Sequence, residues 1–575
     1  MSIKRFSNWM NTTAGKLFYW QHLPTDKVKN CVVIIIGPIG PEYMHCFRSI
    51  RLLADTVAQS GFHCIRYDPI GMGNSSGCLE DENIWNKWIE SPKEIYKNLS
   101  KQFGFSNTIL IGLRSGNLIL SECINDMPVS ASVFWYPYTR GTAFIRDIEL
   151  LDSILYGEDA YKLNSTLNGG GYPVTNELKS SISNINITNK KFINLPKALI
   201  IASKETSNKS KLHEKLIEQS IDCNIEYLEG LDAMTKQVAI SKIPYNNINS
   251  IENWLNQLKI SVNNNIHNIS PCNTTNINDT YVESIINIDS TRPLFGVLTT
   301  PKIDQNDNIV IIVNTGSAHH VGPNRFHVDA ARHFAINNIS TLCIDISNLG
   351  ESTNNHKQDS NHPYPPTASE DINYAVKFAQ SDLKYKKITL CGLCSGAHNI
   401  FHAALESDCD KLQKLILINP LTFYWKPGQT IFNPSENKTS IDESYYQKQL
   451  YDFNKWIKLI TNPRKIINII FFISRLVYTK SNRLIKMILA IIGIVSTTKL
   501  EQDFMLLANK GISILLIHSD NDPGYRIVTS QASRTIKKLA SKNLFSNISI
   551  SDADHTFSSR SSRLELIKSL LKYPL

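Results

Sequence analysis

Continuous apolar runs alternate along this chain with stretches whose apolar residues recur at three- and four-residue spacing. Val32–Ile36 and Ile309–Val313 are of the first kind. Every position in them is apolar, which suits a strand buried on both faces of a sheet. Phe47–Ser60 and Arg325–Asn337 follow them and read as helices packed on that sheet. The alternation continues to the end of the sequence and predicts an α/β class, with mostly parallel sheets flanked by helices.

The pattern also repeats. Arg48 and Arg325 stand 277 residues apart. The strands Cys64–Asp68 and Leu342–Asp345, and the loops Gly71–Ser75 and Asn348–Ser352, keep the same offset of 277. Ile109–Gly116 and Thr389–Gly396 are offset by 280. A near-constant offset across four landmarks predicts two tandem copies of one fold. The Asn- and Thr-rich stretch between them reads as a linker over 261–277, which leaves domains over 1–260 and 278–575.

Composition agrees with that division. A chain of 575 residues is longer than one core usually supports, the limit being about 250–300 residues. Hydrophobic residues at 42% and charged residues at 19% make a globular profile. The net charge of +9 is spread thinly, with no long basic run and no zinc-finger spacing, so no nucleic-acid partner is expected. An odd count of 11 cysteines and the lack of an apolar leader after Met1 predict a reduced, cytoplasmic protein.

The chemistry concentrates in the second copy. The apolar strand Lys387–Cys391 runs into Gly392-Leu393-Cys394-Ser395-Gly396, followed by a helix-compatible run from Ala397 to Leu405. A strand–turn–helix with glycines flanking a central nucleophile places that residue at the apex of a sharp turn, so Cys394 is the candidate nucleophile. Acid and base are expected later in the chain, each just past a strand. Asp522 follows Ile512–Ile517, and His555 follows Asn547–Ile550. In this reading His555 takes the thiol proton, and Asp522 orients its ring and stabilises the imidazolium. The backbone N–H groups of Ser395 and Ser317 are the candidate oxyanion hole.

No cofactor is expected, and no metal. His319, His320 and His327, and the series Cys394, His398, His402 on one helical face, lack the carboxylate or further thiol ligands that a zinc site wants. Cys391 precedes Cys394 by an odd number of strand positions and is expected to point away from it, which argues against a redox pair.

In the first copy Arg114 occupies the nucleophile slot of Gly112-Leu113-Arg114-Ser115-Gly116, and Ala233 occupies the histidine slot. Glu205 alone stands where an acid belongs. A guanidinium is no nucleophile, so this copy is read as a structural or binding domain. The second copy carries a further expectation, a helical lid inserted over about 425–501. Its stretch from Arg464 to Lys499 holds seven basic residues, no acidic one, and two apolar runs too short to span a bilayer. Such a lid suits an acyl chain, an acidic carrier or an anionic membrane surface, which would place the protein peripherally on the inner face of a membrane.

These motifs resemble those of the α/β-hydrolase superfamily. More narrowly, they resemble the two hydrolases associated with exosortase A and exopolysaccharide gene clusters. One of those carries the Gly-Leu-Arg elbow and a Trp-x-Pro segment, here Trp135-Tyr136-Pro137 through Gly141. The other carries the Gly-Leu-Cys elbow after a Val-Gly-x-x-Arg loop, here Val321-Gly322 through Arg325. Fusion of the two and the large lid depart from that family. The cysteine elbow is also similar to those of dienelactone hydrolases and polyhydroxyalkanoate synthases. The resemblance implies an acyl hydrolase or acyltransferase working through a thioester on Cys394, in exopolysaccharide or lipid or secondary metabolism. Its substrate would be an acylated small molecule or a carrier-bound acyl group. The alternative is a non-catalytic binding or scaffold protein with the same fold.

Overall fold

The computed structural model describes residues 3–25, 28–156, 166–203, 209–263, 274–288, 293–303, 307–352, 361–426, 498–520 and 522–573. Two mixed, mostly parallel sheets covered by helices organise these residues. The first contains β1 (Ile3–Thr12), β2 (Gly15–Pro24), β3 (Cys31–Ile36), β4 (His63–Tyr67), β5 (Asn107–Leu113), β6 (Val129–Trp135), β7 (Lys197–Ala202) and β8 (Asp222–Tyr227). Their order is β1-β2-β4-β3-β5-β6-β7-β8.

The second contains β9 (Thr274–Asn276), β10 (Tyr281–Ile288), β11 (Leu294–Pro301), β12 (Asn308–Ile312), β13 (Ser340–Ile344), β14 (Lys387–Leu393), β15 (Leu412–Ile418), β16 (Ser513–Ser519) and β17 (Phe545–Ile550). Beyond β9 it follows the order of the first: β10-β11-β13-β12-β14-β15-β16-β17. In each sheet an antiparallel pair at one edge leads into parallel strands. The central strands β3 and β12 are buried at every residue, as their unbroken apolar runs require.

The likeness of the two halves extends to single hydrogen bonds. Phe18 N donates to Ser75 Oγ, and Phe295 N to Ser352 Oγ, both at 2.8 Å. Asp68 N donates to Phe18 O, and Asp345 N to Phe295 O, both at 2.9 Å. Some boundaries differ from the sequence reading. Helices α1 (Phe47–Gln59) and α2 (Gly116–Cys123) pack on the first sheet, and the helix expected from Arg325 begins at Phe326 (α3, Phe326–Ile336), because Arg325 itself takes a left-handed φ of 67° outside the helical ladder. The segment read as a linker carries strand at both ends. Val262–Asn263 pairs with Val28–Lys29, and Thr274–Asn276 is β9. Its residues 264–273 lie outside the described residues, as do 427–497 of the expected lid.

An apolar seam joins the halves. Trp9, Phe18 and Trp20 pack in one buried cluster with Ile285, Phe295 and Val297, the Trp20 and Phe295 rings lying 5.0 Å apart. Around it each half grips a loop of the other. The Arg325 guanidinium donates to the carbonyls of Gly71, Gly73, Ser75 and Gly77. In the opposite direction Arg51 donates to Gly350 O at 2.5 Å and Arg66 to Glu351 at 2.7 Å. The two gripped loops correspond, Gly73 and Gly350 standing 277 residues apart, but the arginines do not, since Arg48, the counterpart of Arg325 in the repeat, donates to Ser241 O at 3.3 Å.

Arg332 on α3 pairs with Glu283 of β10 at 2.8 and 3.0 Å, and its remaining N–H groups reach Ser75 O and Asn74 O across the seam at 3.0 Å. Both partners are buried. Arg332→Met leaves the Glu283 carboxylate uncompensated, so a loss of about 3–5 kcal/mol is expected. Adding Glu283→Leu is expected to restore most of it, since desolvation no longer opposes burial. Urea unfolding measures both. A single-variant loss of only about 0–1 kcal/mol, the range of exposed pairs, would show the pair to be solvated.

Candidate active site

The turn after β14 is built by what its glycines lack. A Cβ added at Gly392 would lie 2.3 Å from Gly396 C, and one at Gly396 would lie 2.8 Å from Asn314 O. Strand, turn and helix α4 (Ser395–Glu406) therefore close on one another only with hydrogen at both positions. Between them Cys394 holds φ 59°, ψ −116°, a region that non-glycine residues rarely adopt. The strain is held from both sides. Cys394 N donates to Ile418 O at 2.9 Å, and Gly316 N donates to Ser395 Oγ at 2.9 Å.

The first half builds the same apex around Arg114. That residue has φ 52°, its N–H donates to Trp135 O at 2.9 Å, and Ile39 N donates to Ser115 Oγ at 2.9 Å. Its guanidinium is engaged by Glu42, with contacts of 2.9–3.2 Å, and by the Tyr138 hydroxyl at 2.6 Å. Ala233 lies on the short helix Leu231–Thr235 and has no group to move a proton. Glu205 lies outside the described residues.

Asp522 caps helix α5 (Pro523–Ala540), and its two oxygens are divided between two tasks. Oδ1 accepts from Gly524 N at 3.0 Å, and Oδ2 accepts from His555 Nδ1 at 2.5 Å. His555 stands on the loop after β17. Its side chain is 31% exposed, yet its Nε2 is enclosed and has no aligned hydrogen-bond partner among the described residues. Burial alone would lower the imidazole pKa. The Cys394 thiol and the Asp522 carboxylate outweigh burial and hold it well above its ordinary range. Cys394, at 9% exposure, is thus one of the two groups that set the charge of His555.

Of the two candidate oxyanion donors, Ser395 N–H belongs to the first turn of α4, whose amides have no intrahelical acceptor. Ser317 lies on the turn after β12. There Gly316 N is spent on Ser395 Oγ, which leaves Ser317 as the next amide. A chain of polar contacts supports that turn. Asn314 Nδ2 donates to Asp345 Oδ1 at 2.6 Å, and Asp345 Oδ2 accepts from His320 Nδ1 at 2.9 Å. His320 Nε2 meets the side-chain amide of Asn74, from the first half, at 2.8 Å.

The other histidines singled out in the sequence are held by stacking or by backbone hydrogen bonds. His319 stacks on Phe47 at 4.0 Å, and His327 Nδ1 donates to His320 O at 3.1 Å. His402 Nε2 donates to Phe423 O at 2.7 Å, and His398 Nε2 accepts from Trp425 N at 3.3 Å. Cys391 and Cys394 are both buried in the cluster that also holds Leu393. Both thiols are free, and burial pushes that of Cys391 up to about 12.

Two residues outside the motif pattern join the site. Asn419, at φ 42° just past β15, donates through Nδ2 to His555 O at 2.8 Å and accepts from Ser519 N at 2.9 Å, which ties the acid strand to the histidine loop. Its signal is a polar residue ending an apolar strand beside Pro420. Tyr364 lies in the loop before the elbow, and Cys394 is the titratable group that faces its hydroxyl. Nothing in its proline-flanked surroundings marks it in the sequence.

No family model matches the chain, and no curated protein matches it in sequence. Among the described residues no helix is long and apolar enough to cross a membrane. Solved structures similar to parts of the chain include a dienelactone hydrolase from Anabaena variabilis, 11% identical, with 51% of this chain and 97% of that one covered at a TM-score of 0.32. Est1E from Butyrivibrio proteoclasticus with bound ferulic acid is 17% identical, with 43% and 97% covered at 0.34. The esterase domain of a Rhodothermus marinus protein is 14% identical, with 45% and 99% covered at 0.33.

Proposed function

We propose that this chain is two domains of one fold, over about 1–260 and 278–575, of which the second is an acyl-transfer enzyme of the α/β-hydrolase type. The observation that carries this reading is the 2.5 Å contact from His555 Nδ1 to Asp522 Oδ2, with Cys394 raising the proton affinity of the same ring. The Nδ1–H tautomer leaves Nε2 to accept the thiol proton. The sulfur then attacks the acyl carbonyl, and the carbonyl π pair moves to oxygen, where the N–H groups of Ser395 and Ser317 receive it. Collapse re-forms the carbonyl and expels the leaving group with the proton from His555, which leaves a thioester on Cys394. Water or an alcohol, amine or thiol then takes the acyl group by the reverse sequence. The substrate is an acylated small molecule or a carrier-bound acyl group. Transfer is favoured over hydrolysis, because a thioester reacts readily with amines and thiols. The first domain, with Arg114 neutralised by Glu42, has a structural or binding role.

The test is to incubate the protein with p-nitrophenyl butyrate and map the butyryl group by mass spectrometry. It is expected on Cys394 and nowhere in residues 1–260. Release from the loaded enzyme should quicken when an amine or thiol acceptor is added. Release to free acid at one rate, whatever acceptor is present, would make the protein a plain hydrolase. Absence of an adduct on Cys394 would favour the scaffold reading instead.

A further inference from the structure

The Tyr364 hydroxyl is enclosed and has no closely aligned hydrogen-bond partner among the described residues, and the polar group it meets is the Cys394 sulfur. The residue is 4% exposed, and its ring is clamped. Trp425 lies parallel to it at 4.1 Å, and His398 meets it edge-on at 5.0 Å. The backbone beside it is tied to both walls of the site. Asn399 Nδ2, on the helix that follows Cys394, donates to Pro363 O at 3.1 Å. Ser317 Oγ, on the turn with the second oxyanion candidate, donates to Asn361 O at 2.9 Å. The hydroxyl is therefore held between the elbow and that turn, facing Cys394. Burial and Cys394 together push its pKa up, so it remains a neutral O–H donor. A rigid donor aimed at a nucleophile is in place for the charge that appears on an acyl oxygen only during reaction.

We propose that Tyr364 is a catalytic residue whose O–H donates a hydrogen bond to the oxyanion formed on an acyl group as Cys394 attacks it, beside the backbone N–H groups of Ser395 and Ser317. This rests on the acyl-enzyme reading of Cys394. In the step the S–C bond forms, the carbonyl π pair moves to oxygen, and the thiol proton goes to His555 Nε2. The Tyr364 proton is shared with the oxyanion and stays on the phenol, so collapse moves no proton at the oxyanion, and the leaving group takes its proton from His555.

Tyr364→Phe keeps the stacked ring and removes only the oxygen. Burst acylation by p-nitrophenyl butyrate is expected to fall about 10²-fold at nearly constant KM, the usual effect of losing one oxyanion donor. Alkylation of Cys394 by iodoacetamide forms no oxyanion and is expected to stay within about two-fold of the parent protein. Acylation within about three-fold of the parent would overturn the proposal. So would a parallel fall in alkylation, because Tyr364 would then act through the thiol or the fold. A burst that survives Cys394→Ala, or no burst in the parent protein, instead removes the acyl-enzyme reading itself.

Discussion

Cys394→Ala is expected to lower acyl turnover by about 10⁴-fold or more, and Ser395→Ala by far less. The two hydroxyl- or thiol-bearing residues are adjacent, and the backbone decides between them. Residue 394 alone occupies the left-handed apex at φ 59° between the two glycines, and His555 has Cys394, not Ser395, among the groups that set its charge. Ser395 Oγ instead accepts from Gly316 N at 2.9 Å. Its removal loosens the turn bearing Ser317 but leaves the Ser395 amide in place. Ser395→Ala should therefore show a modest fall in kcat with the butyryl group still on Cys394. Abolished turnover in Ser395→Ala together with retained turnover in Cys394→Ala would place the nucleophile one residue later.

The elbow was legible in the sequence because its determinants are local. A buried strand, two glycines and a helix-forming run fix the apex without help from the rest of the chain, and the duplicate at Arg114 repeats the pattern with different chemistry. The positions of Asp522 and His555 were legible for a related reason, since loops at strand ends carry a site while the sheet holds them fixed. Contacts between elements were not legible. Arg325 stood out as a motif residue, but its role, binding four carbonyls of the other half, depends on how the two halves pack. Tyr364 and Asn419 owe their places to loop paths set by tertiary contacts, which no periodicity encodes.

Asp522→Asn is expected to lower kcat by about 10⁴-fold, as loss of the orienting carboxylate does in other triads. Here the division of labour between the two oxygens sets the result. Gly524 N–H demands an acceptor at the Oδ1 position, 3.0 Å away. The amide oxygen of the asparagine will satisfy it, which turns the NH₂ toward His555 Nδ1. Nδ1 must then accept, so the ring proton moves to Nε2, the atom that has to receive the thiol proton. The carboxylate charge is lost as well. With Asp522 no longer opposing it, burial draws the imidazole pKa down from its raised value, and the thiolate–imidazolium pair is disfavoured. Helix α5 keeps its cap, so folding should change little. Nitrogen chemical shifts of His555 are expected to report protons on both ring nitrogens in the parent protein, as its raised pKa requires, and on Nε2 alone in the variant. A variant that turns over within about ten-fold of the parent, with the proton still on Nδ1, would show that Asp522 does not set the tautomer on which the proposed chemistry depends.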